Sequence, residues 1–335
     1  MKTKIITIVV LLVALTSYSQ DATFTQFNSV PLYFNPGYAG SVESPRLALS
    51  YRNQWNNMYQ TSYISYDQAI KRIHGGVGLV IYNDYQRVSQ IIPNFYKHNY
   101  LNTFYCGLAY SAKFNLFNKL AISPAIKIGY RRNDVNAYIG EYDVASYAPS
   151  LPVFGYKSNI DVSLGVVINT KNMHVGFSVD HINTPNVSVV EVAKSLLPRK
   201  YVGQLGYTFQ KIEASNFSIT TSFLYQRQQN FSLPQASLSF RYKFMVLGAG
   251  ATTEGSYNFI LGYYSKKIII GYSFEWYSNG GEVINPLLSE KIHHTHELSL
   301  RYIFLPKKEQ KETNQAQNTK KHKLFRRNKK ILQVG

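Results

Sequence analysis

Apolar and polar residues alternate along most of this chain. Ile268, Ile270, Tyr272, Phe274 and Trp276 fall on one set, with Gly271, Ser273 and Glu275 on the other. Leu120, Ile122, Ile126, Ile128 and Tyr130 oppose Ser123, Lys127, Gly129 and Arg131 in the same way. Leu298, Leu300, Tyr302 and Phe304 oppose Glu297, Ser299 and Arg301. A period of two belongs to extended chain, whose side chains point alternately to two faces. The pattern predicts fourteen strands, near 46–55, 61–71, 75–85, 101–115, 119–131, 160–170, 173–182, 200–211, 216–228, 234–243, 245–254, 257–265, 267–277 and 295–304. Many exceed the roughly 9–11 residues with which a tilted strand crosses a bilayer, so some ends are expected to project beyond it.

The connections sort themselves. The long ones, 86–100, 132–159, 183–199 and 278–294, all join an odd strand to an even one. Those from even to odd, such as Lys171-Asn172 and 212–215, are short. Bacterial barrels have even strand numbers, short periplasmic turns and longer outer loops. A β-sandwich has no reason to sort its loops. The predicted fold is therefore all-β: a transmembrane antiparallel β-barrel of outer-membrane type, about fourteen strands over residues 46–305, with both termini periplasmic.

Composition agrees. The 335 residues include 28 Tyr and 19 Phe, while charged residues make up only 16%. Lys2 and Lys4 precede an apolar run over 5–15, followed by Thr16-Ser17-Tyr18-Ser19. This pattern predicts a signal peptide over 1–19, because the run falls short of the roughly 20 residues of a spanning helix. The net charge of +18 brings nucleic acid to mind, but no recognition element gathers it. Ten Lys and Arg stand against Glu309 and Glu312 beyond residue 305, which predicts a basic periplasmic tail over 306–335. Within it Lys320, Lys321, Lys323, Arg326, Arg327, Lys329 and Lys330 are candidate docking residues for an acidic partner.

Residues 20–45 break the alternation. Phe24, Phe27, Leu32, Tyr33, Phe34 and Tyr38 crowd around Asn35-Pro36-Gly37, a turn signal in which Pro fixes φ and Gly admits φ > 0. A solvated loop would not carry these rings. An aromatic strap bent into a barrel lumen would cover them.

The order Pro31-Leu32-Tyr33-Phe34-Asn35-Pro36-Gly37-Tyr38-Ala39-Gly40, then Tyr51-Arg52-Asn53-Gln54-Trp55, resembles the start of the PorP/SprF family. Residues 295–304 more weakly resemble its closing strand. The resemblance implies a non-enzymatic outer-membrane component of the type IX secretion and gliding machinery, with no cofactor and no nucleic acid partner. The implied partners are outer-membrane lipid, a secreted client with an adhesin-type C-terminal domain, and a periplasmic secretion-system or peptidoglycan-binding lipoprotein. The alternative of the same architecture is an outer-membrane channel or solute transporter.

Other chemistry is sparse. Cys106 is the only cysteine, which excludes an internal disulfide. His293, His294 and His296 with Glu297 look like metal ligands but fall where an expected outer loop leads into the last strand. His174 and His181 lie an odd number of residues apart on one predicted strand, hence on opposite faces. Gly75-Gly76-Val77-Gly78 follows no βα unit and is read as a hairpin turn entering a strand. Arg52 and Trp55 are candidates to pin the strap, and Tyr51 and Trp55 equally to join an aromatic girdle. Tyr138, Tyr142, Tyr147 and Phe154 load the expected loop 132–159 with rings suited to a client.

Overall fold

A computed structural model of the protein describes residues 21–87, 100–116, 120–139, 151–190, 194–209, 216–278 and 294–305, with backbone alone for 137–139 and 151–153. The expected signal peptide and basic tail, with Lys320 to Lys330, lie outside these residues, as do Tyr142, Tyr147 and His293.

The strands are β1 (Arg46–Gln54), β2 (Tyr59–Ile70), β3 (Gly75–Arg87) and β4 (Tyr100–Ala112, resumed as Phe114–Leu116). Then follow β5 (Leu120–Ile139), β6 (Leu151–Asn169), β7 (Met173–Asp180), β8 (Lys200–Thr208) and β9 (Phe217–Gln228). The last are β10 (Phe231–Tyr242), β11 (Met245–Thr252), β12 (Ser256–Tyr264), β13 (Ile268–Tyr277) and β14 (His294–Ile303). Each is antiparallel to its sequence neighbours, and β14 returns to β1 from Arg46↔Ile303 to Gln54↔Thr295. The sheet is thus a closed fourteen-strand barrel. Closure pairs every strand on both sides, save β6 beyond Leu164, and a sheet in lipid requires such pairing.

Alternation assigns the faces. Leu108, Ile128, Leu164, Leu238, Leu261 and Leu298 point outward and are exposed. Ser50, Ser65, Ser163, Ser222, Asn258 and Ser299 point inward and are buried. An apolar exterior around a polar interior is the pattern of a membrane barrel. No described helix is long and apolar enough to cross a membrane.

The two rims differ. At the proximal rim, where β1 begins, the connections are short, as at 71–74, 170–172, 243–244 and 265–267. The distal rim carries 88–99, 140–150, 181–199 and 278–293. The connection expected over 132–159 shrinks to 140–150, because β5 and β6 run on as a tall hairpin, paired to Ile139↔Leu151. Tyr138 and Phe154 therefore stand on strands, not in a loop. Phe154 points outward, 55% exposed. Past Leu164↔Val179, β6 loses β7 as a ladder partner. There the Asn183 side chain accepts from the Val162 N–H at 3.1 Å and donates to the Ile160 carbonyl at 2.7 Å. The connection after β7 so caps the edge of β6 at residues 160–162.

Candidate functional site

The lumen holds the strap. Its chain is a series of tight turns: a 3-10 turn at Phe27–Ser29, one helical turn at Pro31–Phe34 and a second 3-10 turn at Pro36–Tyr38. Pro31 and Pro36 open their turns, where the missing N–H costs nothing. Asn35 caps the second of these: its side-chain oxygen accepts from the Gly37 N–H at 2.8 Å. Its amide donates to the carbonyls of Val166 and Phe177, both at 3.1 Å, tying the turn to β6 and β7.

The rings form the barrel's apolar core. Phe24 meets Tyr33 at 4.9 Å and Tyr63 at 5.8 Å; Tyr33 meets Phe34 at 5.0 Å and Tyr82 at 5.3 Å, all edge to face. Phe24 and Phe34 are completely buried. Room is made by glycines in the wall. A Cβ on Gly76 would lie 2.4 Å from the Ala39 carbonyl oxygen, and one on Gly78 would lie 2.7 Å from Leu32. Gly76 and Gly78, at the start of β3, are thus seats for the strap. Gly40 has φ +62° and brings its own Cα against Gly76.

Charges clamp the strap at three levels. At the proximal end Asp67 takes Arg46 through two hydrogen bonds, 2.8 and 3.1 Å, and accepts from the Gly40 N–H at 3.0 Å. Higher up, Arg52 lies 3.2 Å from Glu275 and 3.5 Å from Glu297. Glu297 accepts from the Thr25 N–H at 2.7 Å, and Glu275 accepts from the Thr25 hydroxyl at 2.6 Å. The Arg52 guanidinium also contacts that hydroxyl. The Gln26 amide donates to the Glu297 carbonyl at 2.9 Å. Nearest the start of the strap, Asp21 sits against Arg131 at 3.1 Å, His181 at 2.7 Å and Lys200 at 3.8 Å, and His181 meets Asp161 at 2.8 Å. Buried charges persist only when paired in this way.

His181 corrects the sequence reading. β7 ends at Asp180, and His181 takes φ +58°, so the alternation fails there and its ring swings inward. His174 also faces the lumen, 5.9 Å from Tyr38. The two histidines share one side of the wall. Burial acts to discharge His181, but Asp21 and Asp161 outweigh it and hold its pKa up at about 9, above the ordinary 6.5. Burial likewise opposes the Asp21 charge, yet His181, Arg131 and Lys200 keep its carboxyl well below the usual range. The raised histidine stabilises the clamp fully below about 6.5 and loses that contribution as pH rises through about 9. Residues 21–26 are expected to become protease-sensitive above that pH in the intact barrel. In His181→Gln that pH step should disappear; an unchanged step would assign it to another group.

Both imidazole nitrogens of His181 are engaged by carboxylates, which leaves none for general-base work. His294 and His296 lie outward on β14 while Glu297 lies inward, so they do not converge on a metal. Among the described residues no His, Cys, Asp and Glu group fits one.

The Tyr51–Trp55 motif divides its labour. Tyr51 is 44% exposed on the outer face, and Arg52 points inward to the strap. The Asn53 side chain accepts from the Asn57 N–H at 3.0 Å, shaping the hairpin to β2. Gln54 reaches the Tyr277 hydroxyl at 3.5 Å. Trp55, at φ +54°, ends β1 and packs edge-on against Tyr59 and Tyr277. Ala39 is buried beside Tyr38. The carboxylates that receive the strap escaped the sequence reading. Their signal was faint: Asp67, Glu275 and Glu297 each stand beside a small serine two residues away on the lumen-facing set, Ser65, Ser273 and Ser299.

Comparison with solved structures finds other barrels. The Ralstonia pickettii toluene transporter TbuX shares 9% identity at a TM-score of 0.49, over 83% of this chain and 94% of its own. The CymD monoaromatic hydrocarbon channel shares 12% at 0.50, over 86% and 95%. The KdgM porin shares 10% at 0.36, over 78% and 99%. At 12% identity the likeness to CymD is one of fold alone. No curated protein matches. A family model described as type IX secretion system membrane protein PorP/SprF matches residues 16–302.

Proposed function

Since the chain belongs to the PorP/SprF family of type IX secretion system membrane proteins, we propose that it is a non-enzymatic outer-membrane barrel that assists secretion or surface anchoring of a large client such as an adhesin. The buried strap carries this reading. A lumen occupied by Phe24, Tyr33, Phe34 and their clamps serves as a scaffold better than as a pore.

In this reading the proximal rim and both termini are periplasmic, because long connections crowd the distal rim and outer loops are the longer ones. The client docks on the tall β5–β6 hairpin, with Tyr138, Tyr142, Tyr147 and Phe154 as contacts. Phe154 and Tyr156 offer exposed rings there, and Arg132 stacks on Tyr156 at 4.2 Å. The basic tail docks an acidic periplasmic component, a secretion-system or peptidoglycan-binding lipoprotein, through Lys320, Lys321, Lys323, Arg326, Arg327, Lys329 and Lys330.

Phe154→Ser with Tyr156→Ser is expected to lower surface retention of the client at least several-fold and leave a heat-modifiable barrel. Truncation after Leu305 is expected to impair secretion or attachment with the barrel equally intact. Planar-bilayer recording separates this reading from its rival. Steady ion-permeable openings of the unmodified barrel, with normal retention in both variants, would make the protein a channel or solute transporter.

A further inference from the structure

The charge on the proximal rim is one-sided. Its described connections present Lys71 and Arg72, Lys113, Lys171, Lys243, and Lys266 with Lys267, all exposed. Among the described residues of these connections Glu43 alone is acidic. Those of the distal rim carry Lys194, Arg199 and Glu254. The basic residues come from separate hairpins, so they are spaced round the mouth instead of clustered on one side. They also lie outside the lumen clamps, whose carboxylates are already taken by Arg46, Arg52 and Arg131.

Two contacts give the direction in which these side chains lean. The Lys243 ammonium lies 5.0 Å from the ring centre of Tyr242, and Lys267 lies 5.2 Å from that of Tyr302. Both rings belong to the outward set: Tyr242 is half exposed, and Tyr302 packs edge-on against Phe304, itself exposed and edge-on to Tyr66. These two amines therefore fold back over the membrane-facing wall and away from the barrel axis. Aromatic rings in such a belt sit at headgroup level. A lysine above such a ring extends its amine to the plane of the lipid phosphates. A protein docking end-on from the periplasm would meet amines turned away from it.

We propose that this ring of basic turns is a binding surface for anionic phospholipid headgroups in the leaflet that meets the proximal rim. The phosphates would lie between neighbouring hairpins, each held by an ammonium or guanidinium and bordered by a ring such as Tyr242 or Tyr302. The leaflet concerned is the phospholipid one in the orientation proposed above. The surface uses neither the tail nor the client hairpin, so it can fail while the secretion reading stands.

The test is native mass spectrometry of the full-length protein from micelles doped with equal phosphatidylglycerol and phosphatidylethanolamine. Retained phosphatidylglycerol is expected to exceed phosphatidylethanolamine several-fold. Replacing Lys71, Arg72, Lys243, Lys266 and Lys267 by Gln should bring the ratio near one, while truncation after Leu305 should leave it unchanged. Should the five-fold variant not assemble, the unmodified protein decides: the preference should fall sharply by about 1 M salt, where the Debye length is about 3 Å. Equal retention of the two lipids, a preference that survives the five substitutions, or one indifferent to salt would overturn the proposal. So would loss of a co-purifying acidic protein from the variant with its lipid ratio unaltered.

Discussion

Arg52→Met should lower the stability of the barrel by roughly 3–5 kcal/mol, the usual cost of removing one partner from a buried ion pair. Arg52 is 3% exposed and is the only cation within 4 Å of Glu275 and Glu297 among the described residues. Methionine fills a similar volume, so the loss would come from two stranded carboxylates and not from a cavity. The measurement is the denaturant midpoint of the heat-modifiable band. A triple variant, Arg52→Met with Glu275→Gln and Glu297→Gln, should regain most of the loss, since deleting both sides of a buried pair is often nearly neutral. A single variant as stable as the parent would show that water already screens the cluster.

Cutting the rings should open the lumen. Tyr33, Phe34 and Tyr38 are all buried, and replacing a buried large aromatic residue costs about 3–5 kcal/mol at a single site. The contributions are not additive, because Tyr33 and Phe34 touch one another. In the Ser triple variant the strap is expected to leave its seat while the wall survives, for the strand ladders and the outer aliphatic band do not involve it. Single-channel recordings should then show steady conductance absent from the parent, and protease should cut within 21–40. Unaltered conductance with demonstrable release of the strap would mean that something other than residues 21–40 occludes the lumen.

Much of the wall was legible because lipid outside and a polar lumen inside impose a strict alternation. The sequence pattern around Ile268–Trp276 or Leu298–Phe304 has no other economical reading. It failed where that two-sided environment ends. Residues 132–136 and 154–159 carry the hairpin past the apolar stretch, and Arg132, Asn133 and Asp134 put polar side chains on both faces, so the period disappears from the sequence while the backbone ladder continues. At Trp55 the strand ended one residue early, because a left-handed φ makes the hairpin. The strap was visible as misplaced aromatic residues, but its partners were not. A carboxylate such as Glu297 looks like any lumen-facing polar residue until Thr25, some 270 positions away in sequence, is laid beside it.

The strap also alters the mechanics of the wall. A ring joined only by nearest-neighbour ladders can flatten into an oval or part along one seam at modest cost. Here the bracing is radial. Asn35 spans β6 and β7, Gly40 reaches β2, Asn28 reaches β9, and Thr25 and Gln26 hold Glu297 on the very strand that closes against Arg52 of β1. These are spokes, and with a hub in place a wheel keeps its diameter. The β1–β14 seam cannot gape sideways until its inner brace has let go, so a passenger moving through such a wall would first have to unseat residues 24–26.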